Sequence, residues 1–180
     1  MHIRQLAVHY HAEADRLLLR VRSSDDSVFA VWLTRRLCLR LWPHLTTLVR
    51  QGTATQAVAQ AAPRATPTLE AAAMLAESAR AQVLKDADFS QPFRADAAQQ
   101  PLGPEPLLAH TVQLTPRPLG ALHLAIRDAQ QRSVELVLEA SMATAVRELA
   151  EAALRQADWG FALTAPADVQ TDVASARTLN

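Results

Sequence analysis

Two stretches of this chain carry the same hydrophobic pattern, and that repetition constrains the fold more than any single motif. Residues 16–50 and residues 121–155 each contain an alternating apolar run, a polar turn, a second alternating run, and apolar residues at helical spacing. Alternation places apolar side chains on one face of a strand, and helical spacing places them on one face of a helix. The pattern therefore predicts a strand–strand–helix unit that occurs twice. The aligned strand residues are Leu17 with Leu122, Leu19 with Leu124, Val21 with Ile126, Phe29 with Val134, Val31 with Leu136, and Leu33 with Leu138.

A further strand precedes each unit, at Ile3 to His11 and at Leu108 to Thr115. Because sequential strands usually lie side by side, each unit is predicted to be a three-stranded meander followed by a helix. The predicted fold class is α+β, with two βββα units that form an internal pseudo-repeat. One extended antiparallel sheet with both helices packed on one face would bury both apolar stripes. Two separate three-stranded sheets that face each other are the alternative.

The helix of the first unit is bounded by clear signals but interrupted by a proline. Thr34 is a favourable N-cap, and Gly52 is typical of a residue just beyond a helix end, so this helix is predicted to end at Gln51. Pro43 lies well inside it, where the ring removes a backbone donor and crowds the preceding turn. A kink, or two short helices, is expected there.

Four regions follow from these assignments. The first βββα unit is 1–51, and the second is 108–162. Between them, 52–107 is expected to hold a low-complexity linker, an alanine-rich helix and a proline-rich extended passage. The small and polar residues 163–180 are typical of a flexible tail.

Composition bounds the class of protein. Of the 180 residues, 49% are hydrophobic, which is enough for a substantial core, and the formal net charge is zero. The single cysteine, Cys38, excludes an intrachain disulfide. There is no apolar run of about 18 residues and no pattern of a signal peptide, so we expect a cytoplasmic bacterial protein that does not enter a membrane.

No catalytic or metal-binding motif is apparent in the sequence. The four glycines, at positions 52, 103, 120 and 160, form no phosphate-binding loop, and no nucleophile is paired with a base. His9 and His11 share one strand face, but zinc requires three or four ligands and no third is evident. We therefore expect no catalysis, no metal and no cofactor.

Positive charge is concentrated in the first unit, where residues 1–50 hold eight arginines against four carboxylates. One interpretation is a patch that binds phosphate or an acidic partner, and the other is an ordinary solvated face. Trp42, beside Pro43, is a candidate exposed anchor, although burial is the more common role of a tryptophan. The candidate partner-binding residues are Arg20, Arg22, Arg35, Arg36, Arg40 and Trp42.

Two resemblances accompany these patterns. Strand units that end in a helix and are repeated in one chain resemble, in topology, the whirly-type single-strand nucleic-acid binders. Units of that class carry four strands before the helix and use aromatic platforms on a basic sheet, whereas three strands are predicted here, with only Tyr10, Phe29 and Trp32 as sheet aromatics. The segments RLLLRV, VWLTRRL, LWPHL and PLGPEPLL are similar to an uncharacterised proteobacterial family, and this resemblance implies no activity and no site residues.

The sequence favours a non-catalytic binding protein, namely an adaptor or regulatory subunit of an intracellular bacterial assembly. Its expected partner is another protein, with segments 52–67, 89–108 and 163–180 becoming ordered on that partner. The alternative is a nucleic-acid-binding protein that uses the arginine-rich face with Trp32 or Tyr10 stacking on bases. The sequence leaves open whether the chain forms a homo-oligomer.

Overall fold

The strands and helices form two groups along the chain, and in each group several strands precede a long helix. The computed structural model describes residues 3–61, 68–86, 92–94, 99–160, 162–163 and 177–179. In order, the elements are β1 (Ile3–His11), β2 (Arg16–Ser23), β3 (Val28–Thr34), α1 (Arg35–Ala61), α2 (Leu69–Asp86), β4 (Leu107–Leu108), β5 (Thr111–Pro116), β6 (Leu122–Arg127), β7 (Ser133–Leu138), α3 (Ala140–Ala157) and β8 (Arg177–Leu179). No helix in the described ranges has the length and apolar character that crossing a bilayer requires.

The strands form two sheets rather than one. The first sheet has the order β1-β2-β3-β4, and the second has the order β7-β6-β5-β8. All pairings are antiparallel except that of β3 with β4. The α+β class is confirmed, but the prediction of one continuous six-stranded sheet is wrong. Each predicted meander instead gains a fourth strand from elsewhere in the chain.

The two hairpins that follow the first strand of each group have matching registers. Leu17 pairs with Leu33 in β2–β3, and Leu122 pairs with Leu138 at the aligned position of β6–β7. The turns match as well, because Asp26 and Gln131 occupy aligned positions and both have positive φ. The alternating apolar side chains of both sheets enter one buried cluster, as their spacing predicts.

Helix α1 is longer than its sequence signals indicate. It continues from Arg35 through Pro43 and Gly52 to Ala61, so the predicted end at Gln51 and the alternative of two short helices are wrong. Tertiary contacts explain the extension, because Thr53 is buried and its hydroxyl lies 3.2 Å from that of Thr144 in α3. At the other end, the Leu37 N–H donates to the Thr34 hydroxyl, as expected of an N-cap.

Each long helix packs on the sheet of the other group. Besides the strand that precedes it, α1 contacts β5, β6 and β8, whereas α3 contacts β1 and β2. The closest approach joins Gly52 of α1 to Gly120 in the β5–β6 turn. A Cβ built on Gly52 would lie 2.7 Å from the Gly120 carbonyl oxygen, and Gly120 itself has a φ of +77°. Only glycine fits this crossing on both sides.

The C-terminal end of α3 is fixed to the first sheet through Trp159. Its indole N–H donates to the Asp15 carboxylate at 2.6 Å, and its ring meets Tyr10 edge-on with centroids 5.9 Å apart. The Arg35 guanidinium donates to the Trp159 carbonyl oxygen at 2.8 Å. Hydrogen bonds from Trp159 and from the Tyr10 hydroxyl lower the pKa of Asp15 below its usual range.

Helix α2 connects to α3 mainly through charge. The Arg80 guanidinium contacts both Glu148 carboxylate oxygens, at 2.9 and 3.2 Å. The Thr68 hydroxyl accepts from the Ala71 N–H at the start of α2. The sequence favours Ser141 as the N-cap of α3, but this prediction is wrong, because the helix begins at Ala140 and Glu139 occupies the N-cap position.

Several segments that were expected to be irregular have defined partners. Gly52 to Ala61 belongs to α1 rather than to a linker, and Arg177–Leu179 of the predicted tail pairs with β5 as strand β8. Gln99 exchanges backbone hydrogen bonds with Asp26 and Val28 at the edge of β3. The sequence also suggests that Phe89 and Phe93 anchor the proline-rich passage and that Phe161 helps to close the core. Phe93 is half-buried, whereas Phe89 and Phe161 lie outside the described residues.

The glycine crossing gives a direct stability test. Replacing Gly52 with alanine normally favours a helix by about 1 kcal/mol. Here the new methyl group meets backbone atoms that cannot rotate away, so we expect a net destabilisation of about 1–3 kcal/mol. Urea unfolding would measure it, with Thr55→Ala at an exposed position of the same helix as the control. A Gly52→Ala protein as stable as the wild type would contradict the tight crossing.

Candidate interaction surface on the first sheet

The first sheet has a face that points away from the core, which we call the outer face. Its members follow from the register, because directly opposed residues of neighbouring strands share a side. Leu17, Leu19 and Val21 of β2 lie in the core, so the intervening residues of β2 and their partners lie outside. The outer face comprises Gln5, Ala7, His9 and His11 of β1, Arg16, Leu18, Arg20 and Arg22 of β2, and Val28, Ala30, Trp32 and Thr34 of β3.

A short segment from the middle of the chain, Pro92–Arg94, lies on one end of the outer face. The Gln5 side-chain amide donates to the Pro92 carbonyl oxygen at 2.9 Å and accepts from the Arg94 N–H at 3.0 Å. The Arg22 guanidinium donates to the Arg94 carbonyl oxygen at 2.8 Å. The segment is therefore held by its backbone, although 87 residues separate Gln5 from Pro92.

The side chain of this segment that contacts the face is Phe93. Arg20 places its guanidinium carbon 4.7 Å from the centre of the Phe93 ring, which is within the range of a cation–π interaction. The Arg20 Nε is buried and has no hydrogen-bond partner among the residues that the structure describes. Burial lowers the pKa of Arg20 below its usual value.

Positive charge on the outer face is balanced only at one end. Arg22 forms an ion pair with Asp26 at 3.2 Å, and Asp26 also contacts Arg4. Among the described residues, no carboxylate forms an ion pair with Arg16 or Arg20. Within the described ranges, Arg20 beside the segment and Arg16 at the far end of β2 are therefore cationic groups without an ion-pair partner.

The rest of the outer face mixes imidazoles with apolar groups. Leu18 and Trp32 are directly opposed and half-buried, and Leu108 of β4 continues the row with 44% of its surface exposed. His11 meets the Trp32 ring edge-on at a centroid distance of 5.4 Å. Although the His9 side chain is exposed, partial desolvation lowers its pKa, and the nearby positive charge of Arg20 lowers it further.

The arginines predicted to form one cluster are divided by the fold. Arg20 and Arg22 lie on the outer face, beneath the Pro92–Arg94 segment. Arg35, Arg36 and Arg40 are exposed on α1, and Arg35 is used in the contact with Trp159. The single arginine patch that the sequence suggested is therefore two separate sets.

Trp42 is not an exposed anchor, and that expectation is wrong. Only 3% of its surface is exposed, and its indole N–H donates to the Leu163 carbonyl oxygen at 2.7 Å. The guanidinium of Arg147 lies 5.5 Å from the centre of the ring. Trp42 is a core residue, as its position on the apolar stripe of α1 allows.

The other candidate sites have fewer groups that could bind a ligand or react. In the described part of the chain, no three His, Cys, Asp or Glu side chains converge as metal ligands would. Cys38 is buried, which raises its pKa to about 12 and leaves the thiol protonated near neutral pH. A shallow depression at the end of α3 has Arg155 and Asp158 as its charged lining residues, and both are exposed.

Of the two residues that matter most here, the sequence indicated an anchoring role for Phe93 but gave no sign of the role of Gln5. The alternation of β1 placed Gln5 on the same strand face as His9 and His11, which is correct. Nothing local indicated that Gln5 would bind a backbone segment so distant in the chain. A polar residue with both a donor and an acceptor on an otherwise mixed face was the only available signal.

Comparison with known proteins adds no further assignment. No family model matches the sequence, and no curated protein or solved structure matches the chain.

The electrostatics of the outer face can be checked by following His9. We expect its pKa to lie below 6.5 in the folded protein and to rise toward that value in Arg20→Gln, since this change removes a nearby positive charge. Because unfolded His9 binds protons more readily, its contribution to stability is present above pH 6.5 and is lost as the pH falls through the folded pKa. An NMR titration would measure both proteins, with Arg127→Gln on the second sheet as the control. A wild-type pKa above 6.5 would refute this description.

Proposed function

We propose that this protein is a non-catalytic interaction module, an adaptor or regulatory subunit, that binds an extended peptide segment of a partner protein on the outer face. The observation that carries the proposal is the double hydrogen bond between the Gln5 amide and the backbone of Pro92–Arg94. This contact supports peptide recognition because it depends on the ligand backbone.

The geometry at Gln5 reproduces a pattern found between strands. A residue of a parallel strand donates to the carbonyl of one neighbour residue and accepts from the N–H two positions later. The Gln5 amide does the same with Pro92 and Arg94, using its side chain. Backbone bonds of this kind provide affinity in strand-addition complexes, while neighbouring side-chain sites provide specificity.

The remaining groups on this face suit recognition rather than catalysis. Arg20 binds an aromatic ring, and Trp32 and Leu18 offer apolar area. An apolar centre flanked by polar groups is the usual composition of a protein-binding surface. We therefore assign the partner segment to the strip that runs from Gln5 along β2 toward Arg16.

Binding of nucleic acid is less well supported by this arrangement. Tyr10 and Phe29 pack against the core, which leaves Trp32 as the aromatic side chain of the three-strand outer face. Stacking platforms for single strands use several aromatic side chains on a basic groove. The formal net charge of zero also differs from that of a typical nucleic-acid binder.

The proposal includes an internal repeat in which only one copy binds the partner. The matching hairpin registers and the exchanged helices support it. On the corresponding face of the second sheet, His123 contacts Glu135 at 3.4 Å, and Val137 is 54% exposed. Those residues carry no arginine cluster, so the second unit would serve as the scaffold.

A selection from a phage-displayed peptide library would test this function. We expect wild-type protein to enrich peptides that contain an aromatic residue, and to bind them in anisotropy measurements. Gln5→Ala removes two hydrogen bonds from the bound peptide and should weaken that binding. Gln113→Ala, on the outer side of the second sheet, is the matched control and should leave the affinity unchanged.

A second probe distinguishes the competing ligand class. A labelled 20-base single strand of thymidines should not bind the protein at about 50 mM salt. Binding of that strand with a steep salt dependence, together with an unproductive peptide selection, would overturn the peptide proposal in favour of nucleic acid.

A further inference from the structure

We infer that Pro92–Arg94 acts as an internal ligand of the outer face, and that the partner peptide that displaces it carries an aromatic residue next to carboxylates. This inference rests on the proposed function and names the ligand class of the same surface. Its two grounds are the contacts that hold the segment and the negative charge that Pro92, Phe93 and Arg94 lack.

The attachment of the segment is small and lies at the surface. Pro92 and Arg94 are exposed, and Phe93 is half-buried. Three hydrogen bonds and one cation–π contact connect these residues to the sheet. All four contacts are ones that a peptide from another protein could replace atom for atom, because three of them use backbone groups and the fourth requires only an aromatic ring.

Charge indicates which peptide would replace the segment. Arg94 brings a further positive charge to a surface that already holds Arg20 and Arg22. Arg16 and Arg20 have no carboxylate partner in the described part of the chain, and the two outer-face histidines lie beside them. A peptide with carboxylates beside its aromatic residue would add an electrostatic attraction that Pro92, Phe93 and Arg94 do not supply.

The part of the outer face that Pro92–Arg94 does not contact indicates how far the partner extends. From Arg20, the next outer residues of β2 are Leu18 and then Arg16, with Trp32 opposite Leu18. A longer peptide would place an apolar side chain on Leu18 and Trp32, and a carboxylate near Arg16. The internal segment contacts the Gln5–Arg20 end, so the partner gains contacts that the internal ligand does not make.

Two variants with opposite expected effects test this inference. The probe is a fluorescent peptide, Gly-Glu-Pro-Phe-Glu-Leu-Glu-Gly, titrated into the full-length protein. Phe93→Ala removes the cation–π contact of the internal ligand and should tighten probe binding, by at most about tenfold for a site that is free about a tenth of the time. Arg94→Glu improves the charge match of the internal ligand and should weaken probe binding. Arg20→Ala should abolish binding, and Arg127→Ala on the second sheet should not affect it.

The outcomes separate the two proposals. A general loss of structure cannot produce changes of opposite sign, and melting temperatures of both variants would confirm that each is folded. If the library-derived peptides bind in a Gln5-dependent manner but neither variant changes their affinity, the internal ligand is refuted and the interaction surface stands. If neither the probe nor any library peptide binds wild type or Phe93→Ala, both proposals fail. A lysine analogue of the probe that binds as tightly would refute the acidic ligand class.

Discussion

The fold depends on one contact in which two backbones touch. Where α1 crosses the β5–β6 turn, Gly52 and Gly120 leave no room for a side chain on either side. This contact holds a helix of the first group against the sheet of the second, and α3 makes the reciprocal exchange at the β1–β2 turn through Trp159. Neither group has a complete core without the helix of the other, so the two sheets and both helices enclose one buried cluster.

The outer face follows from the same requirement. Once alternate residues of β1, β2 and β3 must enter the shared core, the positions between them are fixed on the opposite side, whatever residues occupy them. Gln5, Arg20 and Trp32 therefore form a surface whose geometry is as rigid as that of the sheet. The binding groups are on strands, while the segment that occupies them has no regular structure. This arrangement suits a preformed site with an exchangeable ligand.

Features that depend on neighbouring residues could be predicted from the sequence, whereas features that depend on contacts between distant residues could not. The bounds of β1 were predicted correctly because alternation is a property of neighbouring residues. The end of α1 was predicted incorrectly, because Gly52 allows the close contact with Gly120 and does not end the helix. The sequence allowed Trp42 to be either exposed or buried, and its contact with Arg147 of α3 shows that it is buried. The contact between Gln5 and Pro92–Arg94 joins parts of the chain that share no periodicity, so no pattern could have indicated it.

The passage of the chain from β4 into β5 affects how the protein folds during its synthesis. Leu107 and Leu108 pair with β3, the Ala109 N–H donates to the Trp32 carbonyl oxygen, and the His110 N–H donates to the Arg127 carbonyl oxygen. During synthesis the first three strands leave the ribosome well before this linking segment does. Until it arrives, the edge of β3 is unpaired and the apolar side of α1 has no sheet to cover it. A nascent chain in that interval exposes the groups that chaperones bind, and the two halves reach their final form together only after the second sheet has emerged.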